Sequence, residues 1–398
     1  MLKKVDLLFL LKWCVLLIST PVFSQKVFYK SNFVWDDFKS QEITATITIA
    51  NNSILFDAPN DTLYAIDKKE RNIQWKIPSA KKCKTAPFLY NTSFFYGNNE
   101  EGLSRVSQFD LDTGKKIKDL PFLSLKSKPH FLNTMMYCTA LADGGKLIAY
   151  NLEENKILWQ QNIGFGVEAQ PVYLKDKIVA NVEEDNWFEI DYKGNFLNTK
   201  SKKPIYLDST RFFIKEYKFL THDGKEITAD FLKKNKLSNS DYQTKTNDNY
   251  TVIVTEKQLL TLANNRKKVL QLALEKEFPT KNFDQNEFSG IVVLQTESVW
   301  LCYQNFLIHY DFIHQKRLRK VDLTQWNPQQ VIVENRTIWL LSKNDGQLYG
   351  LDFEPNQRTA DEIEARTRME FEKLRCPEPD PKKMEAAKAA QKKLKNKN

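Results

Sequence analysis

Short apolar runs with period-two alternation recur along most of this chain, each broken by a polar turn, and long helical periodicity is missing until about residue 359. Residues 63–75, LYAIDKKERNIQW, show the unit. A strand-like run ends in Ile66 and Asp67, a polar turn follows, and a second short strand closes on Trp75. Residues 147–159, LIAYNLEENKILW, repeat the order, with Trp159 eight places after Asn151 as Trp75 is eight places after Asp67. A match this close indicates internal duplication rather than a lone hairpin.

Further copies share the logic of a strand ending in Asp or Asn before a polar turn. They carry Asp110 with Gly114 four places on, then Asp191, Asp223, Asn264, Asp311 and Asp352. The eight copies are separated by 43, 41, 40, 32, 41, 47 and 41 residues. A period of about 40 is that of four-stranded sheets repeated around an axis. The expectation is an all-β, eight-bladed β-propeller over residues 25–355, with seven blades as the alternative because the 32-residue interval is irregular. Runs such as TATITIA (44–50), PFLYNTSFFYG (87–97), NYTVIVT (249–255) and VIVENRTIWLL (331–341) supply the intervening strands. The last copy lacks its second short strand, whereas an orphan run, KVFYKSNFVW, lies at 26–35. A ring of sheets leaves raw edges unless one terminus completes the other's blade. Phe33, Val34 and Trp35 are therefore expected to close the ring, with Trp35 in the part that Trp75 and Trp159 play.

The recurring Asp or Asn suits a turn, because a short side-chain oxygen accepts hydrogen bonds from the next amides. Trp75 and Trp159 offer large apolar area for packing one blade on the next. With its LYAID…W unit and the Asp-Thr-Gly turn of FDLDTGKKI, the chain resembles the pyrroloquinoline-quinone-like propeller repeat, over residues 27–353. It departs from that repeat where Arg71, Asn155 and Gln315 replace the turn glycine, and where Lys118 and Arg319 replace the tryptophan. The resemblance implies either of two branches. Quinone-dependent dehydrogenases carry an adjacent cysteine pair, calcium-binding carboxylates and an Asp base. This chain has no adjacent cysteines, and those acids do not map onto it. The other branch is non-catalytic and includes the exported propeller that assists outer-membrane barrel assembly.

The ends alter the picture of the charge. Lys3 and Lys4 precede an apolar stretch from Leu7 to Ile18 and a Pro21-Val22-Phe23-Ser24 cleavage context, so residues 1–24 read as a signal peptide, a membrane anchor being the alternative. The formal net charge of +9 includes +2 from this leader and +6 from residues 382–398, with seven lysines against Glu385. The body is close to neutral, which argues against nucleic acid as a partner. Thr359-Ala360-Asp361-Glu362 has the form of a capping box, and Ile363, Phe371 and Leu374 follow on one stripe. Residues 356–376 are thus expected to form an amphipathic helix, docked on the propeller or on a partner, and 377–398 a Pro-containing, Lys-rich tail able to touch a membrane surface. Cys83, Cys138, Cys302 and Cys376 are widely spaced, with no zinc-type pair, and His130, His222, His309 and His314 fall in different repeats.

No catalytic, cofactor or metal residues are assigned. The function expected is that of a periplasmic, non-enzymatic propeller, monomeric by itself, that serves as an interaction scaffold beside an outer-membrane barrel or secretion channel. Alternatives are a degenerate quinone-binding oxidoreductase, or a carbohydrate- or envelope-binding propeller using aromatics such as Trp187 and Trp300.

Overall fold

The computed structural model describes residues 26–33, 45–79, 86–100, 103–182, 186–197, 205–208, 211–215, 233–235, 242–263, 267–277, 284 and 287–353. Their strands fall into seven antiparallel sheets taken in chain order. Blade 1 shows the plan, with strands Thr46–Ile49, Ser53–Ala58, Thr62–Asp67 and Ile73–Pro78, each paired with the next. Its second strand, SILFDA, is buried throughout, and its outer strand alternates exposed and half-buried positions. Central strands read as continuous apolar runs because both faces are covered by neighbouring sheets.

Blades 2, 5 and 6 follow the plan, with outer strands Lys116–Asp119, Lys268–Ala273 and Lys316–Asp322. Blade 3 has a divided first strand, Ser124–Leu125 and His130–Leu132, both pairing with Met135–Ala142. Apolar clusters fill the seams. Leu55 and Leu63 of blade 1 pack with Phe94 and Tyr96 of blade 2, and Met136, Cys138 and Ile148 of blade 3 join Phe95 and Val106 of blade 2. Full burial of side chains this size contributes about 1.5–3 kcal/mol each. The first strands of neighbouring blades are also tied together by glutamines. Gln330 accepts from the Ile47 amide at 2.9 Å and donates to the Ile47 carbonyl at 2.8 Å, Gln170 grips Lys128 in the same way, and Gln243 accepts from the Ile291 amide at 3.0 Å. First strands therefore converge on the inside of the ring, and outer strands form its rim.

Two expectations are corrected. The sheets number seven among the described residues, not eight. Extra strands, Ile205–Asp208 and Arg211–Lys215, do not found a new sheet. Arg211–Lys215 adds to blade 4 beside Asn186–Asp191, and blade 5 begins only at Tyr242. The copy at Asp223 lies outside the described residues, as does Asn264. In blade 5 the strand-end position belongs to Ala263, whose amide donates to the Lys267 carbonyl at 2.9 Å, as Asp67 donates to Asn72 and Asp110 to Lys115. Ring closure also differs in its residues. Lys26–Lys30 pairs with Leu348–Asp352 and completes blade 7, and Tyr29 opposite Gly350 takes the place expected of Trp35, which lies outside the described residues. The register shift at Phe28 is the same one-residue bulge that the outer strands of blades 1, 2, 3, 5 and 6 carry. A bulge at one place in each rim strand increases its local twist and re-aims the next side chain toward the following blade.

Candidate interaction surface

The repeat acids sit in turns and are saturated there. Asp67 Oδ1 accepts from the amides of Lys69 (2.8 Å) and Glu70 (2.7 Å), and Oδ2 from Gln74 (3.0 Å). Asp110 accepts from the Thr113 amide and hydroxyl, Asn151 from Glu153 and Glu154, and Asp191 from Lys193 and Asn195. Asp311 accepts from Ile313 and His314, whose Nδ1 lies 2.8 Å from Oδ2. Amide donors at Glu70 and Lys69 hold the Asp67 carboxyl below its usual range, and the Thr113 donors do the same for Asp110. Asp352 ends its strand opposite Lys26 and Thr337.

The tryptophans cross the seams. Trp75 donates its indole N–H to the Leu111 carbonyl at 3.0 Å, and Trp159 donates to that of Tyr192 at 3.1 Å. Each ring covers the turn glycine of the next blade. A Cβ on Gly114 would lie 2.6 Å from the Trp75 ring, and one on Gly194 would lie 2.8 Å from Trp159. Both glycines have φ in the left-handed region, +67° and +92°. The departures from the repeat follow the same geometry. Lys118 occupies the tryptophan position of blade 2 and donates to Leu152, the equivalent carbonyl, at 2.6 Å; the turn it faces has Asn155 in place of glycine. Arg319 of blade 6 lies over Phe353 at 4.1 Å. Arg71, following the closing strand, lies over Phe28 at 4.5 Å and donates to its carbonyl. Gln315 donates to Val269 of blade 5 at 3.3 Å. A glycine is required only where a tryptophan ring must lie flat on the turn.

Of the two aromatics named as ligand candidates, one is buried. Trp300 is 5% exposed and stacked on His309 at 4.2 Å, and Trp187 is half-buried in the third strand of blade 4. Burial, and then the Arg319 charge, push the His309 imidazole down to about 4, so it is neutral near pH 7, with Nε2 2.9 Å from the Ser298 hydroxyl. Cys138 and Cys302 are buried, and burial raises both thiols, that of Cys138 to about 12. No three His, Cys, Asp or Glu side chains form a metal-holding group among the described residues. Cys83, Cys376, Ile363, Phe371 and Leu374 lie outside the described residues.

The most exposed large apolar side chain among the described residues is at one end of blades 3 and 4. The connection Gly164–Glu168 is a short 3₁₀ turn in which Val167 is buried while Phe165 is 87% exposed. The turn is pressed tightly onto the ring. A Cβ on Gly166 would meet the Val182 and Asn181 carbonyl oxygens at 2.1 and 2.4 Å. Lys126 and Glu168, paired at 2.8 Å, flank the loop on the ring side. Leu123, half exposed, is joined to the same corner because its amide donates a hydrogen bond to the carbonyl of Leu141, which lies opposite Gly145. Only the Gly-Phe-Gly spacing hinted at this knob in the sequence.

No protein-family model matches the chain, and no curated protein matches it. Solved structures do. The computationally designed Ika8 protein is similar over 77% of this chain and 95% of its own, at 11% identity and a TM-score of 0.53. The BamB protein from Moraxella catarrhalis is aligned over 78% of this chain and 82% of its own, at 11% identity and a TM-score of 0.41. At such identity the likeness to the designed protein is one of fold alone. No helix among the described residues is long and apolar enough to cross a membrane.

Proposed function

We propose that this protein is an exported, non-enzymatic scaffold of the bacterial envelope that binds a protein partner through the loop end of its propeller, beside an outer-membrane barrel or secretion channel. The observation that carries the reading is Phe165, a large apolar side chain 87% exposed on a loop whose backbone is fixed against two blades. Ordering such a loop on binding costs little, and buried aromatic anchors dominate interface energetics. The repeat acids and tryptophans support it from the other side, since their polar atoms are engaged within and between blades. The envelope setting and the partner class come from the leader-like residues 1–24 and from the repeat's resemblance to the barrel-assembly branch. A photo-crosslinking residue at position 165, activated in cells, tests the reading. Capture of an outer-membrane barrel or secretion-channel subunit, reduced about tenfold or more by a Leu123→Asp exchange, is the expected result. Absence of any crosslinked envelope protein, with the protein folded and exported, overturns it.

A further inference from the structure

The rim of blade 5 differs from that of its neighbour. In blade 4 the strand beside Asn186–Asp191 is Arg211–Lys215, and a fifth strand, Ile205–Asp208, pairs on that one, so this chain already builds a five-stranded blade. In blade 5 the outer strand Lys268–Ala273 pairs on one side with Gln258–Ala263 and has no strand on its other side among the described residues. A cleft of about 680 Å³ runs along it, lined by all six of its residues. Lys234 and Asn235 also line it, held by a 3.0 Å hydrogen bond from the Gln271 side-chain N–H to the Asn235 carbonyl. Gln315 of blade 6 closes one end by donating to Val269.

The lining carries Lys234, Lys268 and Lys276 and no carboxylate. Nearby acids are turned to other cations, Glu275 to Lys257 at 3.8 Å and Glu277 to Arg317 at 2.6 Å. Lysines on an edge strand ordinarily deter pairing with a neighbour. Here they would deter neutral and basic segments and admit an acidic one, while the strand edge supplies main-chain hydrogen bonds and the cleft takes alternate side chains. Six residues of strand span about 20 Å, enough to hold a segment of six or seven residues.

We infer that the cleft beside Lys268–Ala273 is a binding site for an extended acidic peptide segment of a partner protein, which adds to blade 5 as a fifth strand. The inference rests on the scaffold reading and gives it a second contact surface. It is tested on the full-length exported protein with a fluorescent octapeptide in which glutamate alternates with valine or threonine. Anisotropy should show saturable binding, weakened about tenfold or more by Lys268→Glu together with Lys276→Glu, and similarly by N-methylation of every second peptide amide. Circular dichroism and melting of the variant, unchanged, would show that its rim still folds. Equal binding of the N-methylated peptide, equal binding of the same peptide with lysine for glutamate, or complete displacement by millimolar pyrophosphate would each overturn strand addition. Absence of binding by any of the peptides would do the same. Because this assay contains no membrane and no barrel protein, its failure leaves the position-165 crosslink standing, and failure of the crosslink leaves this result intact.

Discussion

Asp57 is a carboxyl group walled into the seam between blades 1 and 2, 6% exposed on the second strand of its sheet. Burial raises it to about 7, against the opposing effect of hydrogen bonds from Tyr96 and Ser79, and the charge of Asp61 raises it further. The Tyr96 and Ser79 hydroxyl oxygens lie 2.5 Å apart, so the seam holds a small polar cluster beside the apolar cluster of Leu55 and Phe94. The sign of the linkage follows. An unfolded Asp titrates near 3.8, so between that value and about 7 the native state holds a proton that the unfolded chain has lost. The stabilisation is complete below the unfolded value and is lost as pH rises through about 7. The difference in melting temperature between Asp57→Asn and the parent should therefore grow in the variant's favour from about pH 4 to about pH 7 and level off above it. Parallel curves across that range would show that the carboxyl is ionised in the fold at all these pH values. Nothing in SILFDA marks Asp57, whereas the repeat acids were legible as turn formers, because a turn announces itself in local sequence and a seam does not.

At the scale of the element, the outer strand and the turn of the next blade act as one unit. Trp75 and Gly114, or Trp159 and Gly194, are a ring and the bare backbone it covers; Lys118 and Asn155 are the alternative pair. Gly114→Ala should cost about 1–3 kcal/mol, from a Cβ in the left-handed region and from its clash with the indole. In a Trp75→Ala background, which itself costs about 3–5 kcal/mol, most of the clash is gone, so the second cost should shrink toward that of the backbone alone. Additive losses in urea melts would dissolve the pairing. The converse holds for blade 2: Lys118→Trp alone should destabilise, since its ring meets the Asn155 side chain, while Lys118→Trp with Asn155→Gly should restore the parent's stability or exceed it. This pairing explains which parts of the sequence were readable. The copies with Trp75, Trp159 or Gly114 stood out because each holds one half of a cross-blade pair that tolerates little change, and those with Tyr29 or Leu270 in the tryptophan register kept only their strand pattern. A tryptophan and the glycine that accommodates it lie far apart in sequence, so each departure looked like decay when read alone.

For the whole molecule, spacing in sequence revealed the propeller and gave one blade more than the seven sheets of the described residues. The copy at Asp223 lies outside those residues, while Ile205–Asp208 and Arg211–Lys215, which precede it in the short interval after Asp191, join blade 4 at its rim, because pairing with an existing edge needs no new seam to be filled. The same chemistry closes the ring at blade 7, where the terminal strand Lys26–Lys30 meets Leu348–Asp352 across more than three hundred residues of chain. Phe28 and Tyr29 stand edge-on to Trp339 at 5.1 and 5.9 Å, and Phe33 stacks on Tyr64 of blade 1 at 4.1 Å, so the segment seals blade 7 and its seam with blade 1 together. Ser31 donates its amide to the Leu348 carbonyl and accepts from the Leu348 amide on its hydroxyl, and the Gln347 side chain holds the Phe33 backbone through both its amide N–H and its oxygen. Each aromatic pair contributes about 0.5–1.5 kcal/mol beyond its buried area, and removal would also bare the edge of a long strand. Deleting residues 25–33 should therefore do more than lower the melting temperature. Blade 7 should exchange its amide hydrogens ahead of blades 2 and 3, unfolding should broaden, and the truncated protein should self-associate through Leu348–Asp352. A synthetic peptide of residues 25–33 added in excess should restore protection in blade 7 and a single sharp transition. If the truncated protein instead melts as one unit with protection unchanged, closure is carried by the seams alone and the terminal strand is only a cover.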